Sequence, residues 1–153
     1  MKQLKVDAIK DGTVIDHIPG GKAIQVLKIL KLKKDDAVSI GMNLNSSKIG
    51  KKDIVKIENH ELSADDVNRI ALIAPTASIT IIRGYDVAEK RKVEIPETLE
   101  NLVHCPNPNC ITNMENIPTR FDSFNMAGQN QKGFMCHYCE KIYQTDGLKI
   151  RVN

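Results

Sequence analysis

The chain has 153 residues, of which 41% are hydrophobic and 27% charged, a balance that implies a water-soluble globular protein of one ordinary domain or two small ones. Its net charge is +3, with 17 basic against 15 acidic side chains up to residue 100 and 5 against 4 beyond it. Neither part offers the dense positive surface of a dedicated nucleic-acid binder. No run approaches the roughly 20 apolar residues of a membrane span. The opening MKQLKVDAIK lacks the apolar stretch of a signal peptide. The expectation is a cytoplasmic protein with neither nucleic-acid nor membrane partner.

Residues 4–9, LKVDAI, alternate apolar and charged side chains and predict a half-buried strand, closed by a turn at Asp11-Gly12. TVIDHIP then sets Asp16 and His17 between Ile15 and Ile18, which suggests a strand end or loop with a histidine at the edge of the core. Gly20-Gly21 opens a helix to about Leu32, with Ala23, Val26, Leu27 and Leu30 on its buried side. Residues 37–44 and KKDIVKIEN predict two further strands around the Asn45-Ser46-Ser47 turn, with Lys56 on the face opposite Val55 and Ile57. Ser63 and Asp66 form a capping-box pair for a second helix that Pro75 ends. ASITII at 77–82 is another strand, and Tyr85-Asp86-Val87 a further short one.

The order strand, helix, strand, strand, helix, strand is the split βαβ pattern of a ferredoxin-like α+β domain. Two helices would cover one face of an antiparallel sheet and leave the other open. Residues 88–100 are charged, contain Pro96 and suggest a connector, so the expected domains are 1–100 and 101–153. With about fifty residues, the second is small enough that a metal commonly completes such a fold. Phe121, Phe124, Phe134 and Tyr143 are its candidate core.

All four cysteines lie in this second part, as Cys105 and Cys110 in CPNPNC and Cys136 and Cys139 in CHYC. Two short knuckles, each presenting two sulfurs, are what a tetrahedral thiolate site needs. One structural Zn2+ is the leading reading, with disulfides and an iron centre as alternatives. GFMCHYC and KIYQT would supply zinc-ribbon-like strands beside the second knuckle. Four thiolates close the coordination shell and leave no position for substrate, although His104 and His137 adjoin the ligands. The first hundred residues contain no phosphate-cradling P-loop, no GxSxG elbow and no HExxH. Asp16, His17, Lys56, Tyr85 and Lys90 are the side chains worth singling out there. They suit a phosphate-bearing ligand, unless the lysines are ordinary solvated ones.

The stretches LKVDAIKDGTVIDHIP, GKKDIVKIEN, ALIAP, YDVAEK, CPNPNC and CHYCEK together resemble the regulatory chain of aspartate carbamoyltransferase over essentially the whole length. The resemblance implies a ferredoxin-like allosteric domain followed by a zinc domain that folds around Cys105, Cys110, Cys136 and Cys139. It implies no catalysis by this chain. Instead it implies binding of CTP or ATP, and in some members UTP, with the effect passed to catalytic trimers of pyrimidine synthesis by a regulatory-chain homodimer. Carried onto this sequence, the nucleotide site comprises Ala8, Ile9, Val14, Asp16, His17, Lys52, Lys56, Tyr85, Val87 and Lys90. Backbone groups at Ala8, Ile9 and Tyr85 would read the base, Asp16 and Lys56 hold the ribose, and Lys90 with Lys52 or His17 meet the phosphates. Thr80 stands where the family usually has asparagine. Asn107, Asn109, Glu140 and Lys141 would contact the catalytic chain. A zinc-ribbon protein that binds nucleic acid is the competing reading.

Overall fold

The first strand among the residues that the computed structural model describes (9–126, 128 and 131–152) is β1, Gly12–Pro19. The strand expected over 4–9 lies outside the described residues, apart from buried Ile9. TVIDHIP is therefore the central strand of its sheet and not a strand end. Thr13 and Ile15 point inward, fully buried, while Val14 and Asp16 alternate outward. The polar pair that suggested a terminus is a bulge. His17 takes φ 58°, and the register skips from Ile15 to Ile18, returning Ile18 to the core at zero exposure. Gly12, assigned to a turn by sequence, begins the strand. Its φ is +148°, and a Cβ there would lie 2.2 Å from the carbonyl oxygen of Ile57, so only glycine fits.

Helix α1 (Ala23–Ile29) leads to β2 (Val38–Ser46), which turns into β3 (Gly50–Glu58). Helix α2 (Ala64–Ile73) leads to β4 (Ser78–Arg83) and β5 (Asp86–Lys92). The sheet order is β2-β3-β1-β4-β5, antiparallel throughout. Its first four positions are the expected ferredoxin-like arrangement. Val55, Ile57, Ile79 and Ile15 form the buried face with Val26, Ile70 and Ala71 of the helices. The Ser63–Asp66 capping box is present, with each side chain accepting from the other's backbone N–H at 3.1 Å.

α1 stops at Ile29, three residues short of the expected end. Leu30 leaves the helix in an extended conformation yet stays buried, so the core takes it without another turn. The amides at the start of this helix find no local side-chain cap. Asp53 supplies one from β3: Oδ2 accepts from Gly21 and Ala23, and Oδ1 from Asn43, each at 2.9 Å. This carboxylate is fully buried and meets three backbone donors. That is how a buried charge is tolerated.

Residues 88–92, expected in a connector, complete β5, in which every position is exposed. An edge strand of charged residues carries no hydrophobic alternation for a sequence to show. The described chain divides into two compact units between Glu94 and Ile95. In the second, β6 (Thr98–Glu100), β8 (Arg120–Asn125), β9 (Lys132–Cys136) and β10 (Ile142–Gln144) form a sheet ordered β10-β9-β8-β6. β7 (Val103–His104) pairs with β11 (Lys149–Ile150), and a four-residue helix α3 (Ile111–Met114) follows the first cysteine pair. Phe121 and Phe134 are fully buried here with Leu99 and Val103. Phe124, proposed for this core, is 37% exposed instead, because β8 carries it on the face opposite Phe121 towards the strand's end.

Replacing Asp53 with alanine removes the acceptor of three backbone amides, of which that of Ala23 is buried. The expected cost is about 3 kcal/mol of the first unit's stability or more, read from urea unfolding.

Candidate functional site

Each pair of cysteines is set by its own turn. In the first, the N–H of Cys110 donates to the carbonyl of Asn107 at 3.0 Å, while Asn113 Nδ2 donates to the carbonyls of Cys105 and Asn107 at 2.8 and 2.7 Å. In the second, between β9 and β10, Glu140 donates to the Cys136 carbonyl at 2.9 Å and Cys136 to that of Lys141 at 3.0 Å. Glu140 makes the turn with φ 61°, in the left-handed region. All four sulfurs lie within 4.8 Å of one another.

Cys105 Sγ is 3.7 Å from Cys139 Sγ, and Cys110 Sγ is 3.8 Å from Cys136 Sγ. A disulfide needs about 2.05 Å. Sulfurs at about 2.3 Å from a tetrahedral centre are separated by about 3.8 Å. The spacing thus fits one enclosed metal ion. Burial pushes the thiols of Cys105 and Cys136 up, against the backbone N–H groups of Asn107, and of Cys139 and Tyr138, that point at them. Cys139 goes the other way. Burial raises it, but the N–H of Lys141, the Asn107 side chain and the neighbouring sulfurs bring it down to about 7. A cation among four such sulfurs favours all of them as thiolates.

Of the four residues expected to contact a catalytic chain, Asn109, Glu140 and Lys141 are exposed. Asn107 is buried, with its side chain accepting from the N–H of Asn109 at 3.1 Å and favouring the Cys139 thiolate. It ties one knuckle to the other.

The second constellation lies on the open face of the first unit's sheet. Residues opposite one another in an antiparallel ladder share a face, and three rows result. Gly12 lies between Glu58 and Ile82, and Ile82 lies opposite Val87. Val14 lies between Lys56 and Thr80, and Thr80 lies opposite Lys90. Asp16 lies opposite Ser78, which lies opposite Lys92. Successive rows are about 7 Å apart, and Lys56 to Lys90 spans three strand spacings, about 14 Å.

Each end of these rows opens into a cleft. Beside the first, about 260 Å³ is lined by Lys10, Asp11, Glu58, Asn59 and Tyr85. The N–H of Tyr85 is already bonded to the Lys10 carbonyl at 2.9 Å, so it is not free to read a base. Beside the third, about 530 Å³ is lined by His17, Thr76, Ser78, Lys90 and Lys92, among others. His17 Nδ1 is 2.9 Å from Ser78 Oγ, and its carbonyl accepts from Thr76 at 2.7 Å. Asp16 and Lys52 form an ion pair at 3.0 Å. Burial raises the Asp16 carboxyl, but Lys52 and the N–H of His17 together outweigh it and hold the group below its usual value.

Two family patterns match the sequence. Residues 4–94 match the allosteric domain of the aspartate carbamoyltransferase regulatory chain, and residues 97–149 its metal binding domain. The chain belongs to the aspartate carbamoyltransferase regulatory chain family. Its relatives of that name include one from Pyrococcus horikoshii, 50% identical over 97% of each chain. Another, from Methanococcus aeolicus, is 51% identical over 91% of this chain and 88% of its own. A third, from Korarchaeum cryptofilum, is 47% identical over 96% and 94%.

The structure thus brings Val14, Asp16, Lys52, Lys56, Val87 and Lys90 onto one face of this regulatory-chain fold, with His17 at its bulge and Tyr85 at its far turn. Ile9 is buried, and Ala8 lies outside the described residues. Sequence reasoning missed Lys92 and Ser78. Lys92 follows from extending β5 past residue 88, since Lys90 and Lys92 then alternate onto the same face, and Ser78 is its partner on β4.

Cys110→Ser removes one of four ligands. Metal content, measured on the purified chain, should fall well below one equivalent, with amide protection lost in residues 95–152 and kept in the first unit. Lys52→Ala should raise the Asp16 carboxyl pKa, read by carboxyl-carbon NMR. The sign follows from the lowered native value. The pair's contribution is full above the ordinary carboxylate pKa and disappears as pH falls through the native one, so it is the acid side of the stability profile that changes.

Proposed function

We propose that this chain is a non-catalytic, cytoplasmic regulatory subunit of aspartate carbamoyltransferase. It binds CTP, ATP or UTP on the open sheet face and passes the effect to catalytic trimers of pyrimidine synthesis. The observation that carries this is the three-row face. The exposed side chains of Tyr85 and Val87 at one end suit a base. Lys56, Val14 and the Asp16–Lys52 pair beside them suit a ribose, and the basic cleft at His17, Lys90 and Lys92 suits phosphates. Family membership supports the same reading, as do the relatives' names.

In this reading the metal is a single structural Zn2+, held by Cys105, Cys110, Cys136 and Cys139. Its chemistry is that of a closed tetrathiolate: it ties two chain segments together and activates nothing. The chain's own residues do the docking. Asn109, Glu140 and Lys141 stand exposed on the turns that the ion fixes, and Asn107 holds those turns together. Regulatory chains would pair as homodimers between catalytic trimers. A nucleotide shifts activity there only by binding the two quaternary states with different affinity.

The test is reconstitution with the cognate catalytic trimer. CTP and ATP should displace the aspartate saturation curve, and a curve that neither nucleotide moves would overturn the proposal. Lys56→Ala should weaken nucleotide binding by about ten-fold, or about 1.4 kcal/mol, in calorimetry. Assembly should remain intact, since Lys56 lies in the other unit from the knuckles.

A further inference from the structure

We propose that Thr112 is a positioning residue of the metal centre: its hydroxyl donates to the Cys110 thiolate and ties helix α3 to the bound ion. This rests on the tetrathiolate reading above and adds to it a residue outside the ligand set.

Four thiolates around one divalent cation leave the centre net negative, and burial withholds the water that would otherwise offset that charge. The chain answers with donors of its own. The N–H of Asn107 points at Cys105, those of Cys139 and Tyr138 at Cys136, and that of Lys141 at Cys139. Each of these three sulfurs thus has a donor from the residue two positions further along. Two positions after Cys110 stands Thr112, and there a side chain reaches the sulfur, with Oγ1 3.2 Å from Cys110 Sγ. A ligand thiolate has no proton to give, so the hydroxyl is the donor. Cys110 is 1% exposed, which leaves solvent little part in stabilising it.

The local backbone explains the contact. Cys110 is the extended residue on which α3 begins, and its carbonyl accepts from the N–H of Asn113 at 2.9 Å. A helical threonine commonly returns its hydroxyl to a carbonyl three or four positions back. Thr112, in the first turn, sends it to the sulfur instead. A helix of four residues cannot hold itself together. Its other ties run to backbone atoms of the first knuckle: from the N–H of Asn113 to Cys110, and from the Asn113 side chain to Cys105 and Asn107. The Thr112 tie ends on a ligand atom. Metal occupancy and the order of α3 are therefore linked through one hydroxyl.

The test uses the full chain loaded with Zn2+ or with Co2+. Thr112→Val removes the hydroxyl and keeps the branched shape. Its Zn2+ affinity, read by competition with a chromophoric chelator, should fall about ten-fold, while Thr112→Ser stays within about two-fold of wild type. In the Co2+-loaded chain, the thiolate-to-cobalt charge-transfer band should move to longer wavelength in Thr112→Val and hold its place in Thr112→Ser. A sulfur stripped of its donor gives up an electron more readily. Thr112→Ala should move the band in the same direction, and it decides the matter if the valine chain does not fold. An affinity loss with no band shift, or a loss as large for serine as for valine, makes Thr112 a packing residue and overturns the proposal. If wild type binds both ions and the valine and alanine chains match it, the tetrathiolate reading stands and this inference falls. A wild-type chain that takes up neither ion overturns that reading and the inference with it.

Discussion

A single buried carboxylate organises the first unit. Asp53 lies on the helix-facing side of β3 and collects the N–H groups of Gly21, Ala23 and Asn43 at 2.9 Å. Through them it fixes where the chain leaves β1, where α1 begins, and how β2 bends at its register shift between Gly41 and Leu44. Its neighbour Lys52 points to the opposite face and pairs with Asp16. Adjacent residues of one strand thus serve the two sides of the sheet, Asp53 the scaffold and Lys52 the open face. A charge in the core is costly unless fully matched, so this arrangement is both rigid and intolerant of change.

The second unit reaches the same rigidity by other means. It is small, and its fully buried aromatic side chains are Phe121 and Phe134. The turns around the sulfurs are dense with hydrogen bonds from Asn113, Asn107 and the knuckle amides. A metal adds what the apolar core of so small a body does not supply. Asn107 shows how closely scaffold and surface are joined there. The sequence suggested a contact with a catalytic chain for it, yet it is buried and its side chain accepts from the N–H of Asn109.

Legibility in the sequence followed the range of the interactions. The capping box of α2 depends on residues three apart, and the cysteine knuckles on gaps of two and four, so both could be read locally. The helix-strand order was visible because Asp53, Val55 and Ile57 alternate along β3 and an apolar run follows the capping box of α2. Asp53 could not be read as a cap, because its donors are thirty-two, thirty and ten residues away. The bulge at His17 looked like a strand end because a bulge and a terminus both interrupt alternation. β5 was cut short because an exposed edge needs no apolar face. On the open face, the charge content of Lys56 and Lys90 was evident, but the row that unites them exists only through pairing with Val14 and Thr80.

The backbone of Glu140 has one more consequence. A non-glycine residue in the left-handed region carries a penalty of about 1 kcal/mol, and glycine at this turn would carry none. The second knuckle is thus tighter to form with glutamate than the metal site alone requires. What glutamate adds is a negative group projecting into solvent from a rigid hinge, one residue beyond a ligand sulfur and next to the cation of Lys141. Glu140→Gly would therefore separate two properties that the wild-type turn joins. It would relieve the backbone strain of the turn and at the same time remove one pole of an adjacent plus–minus pair.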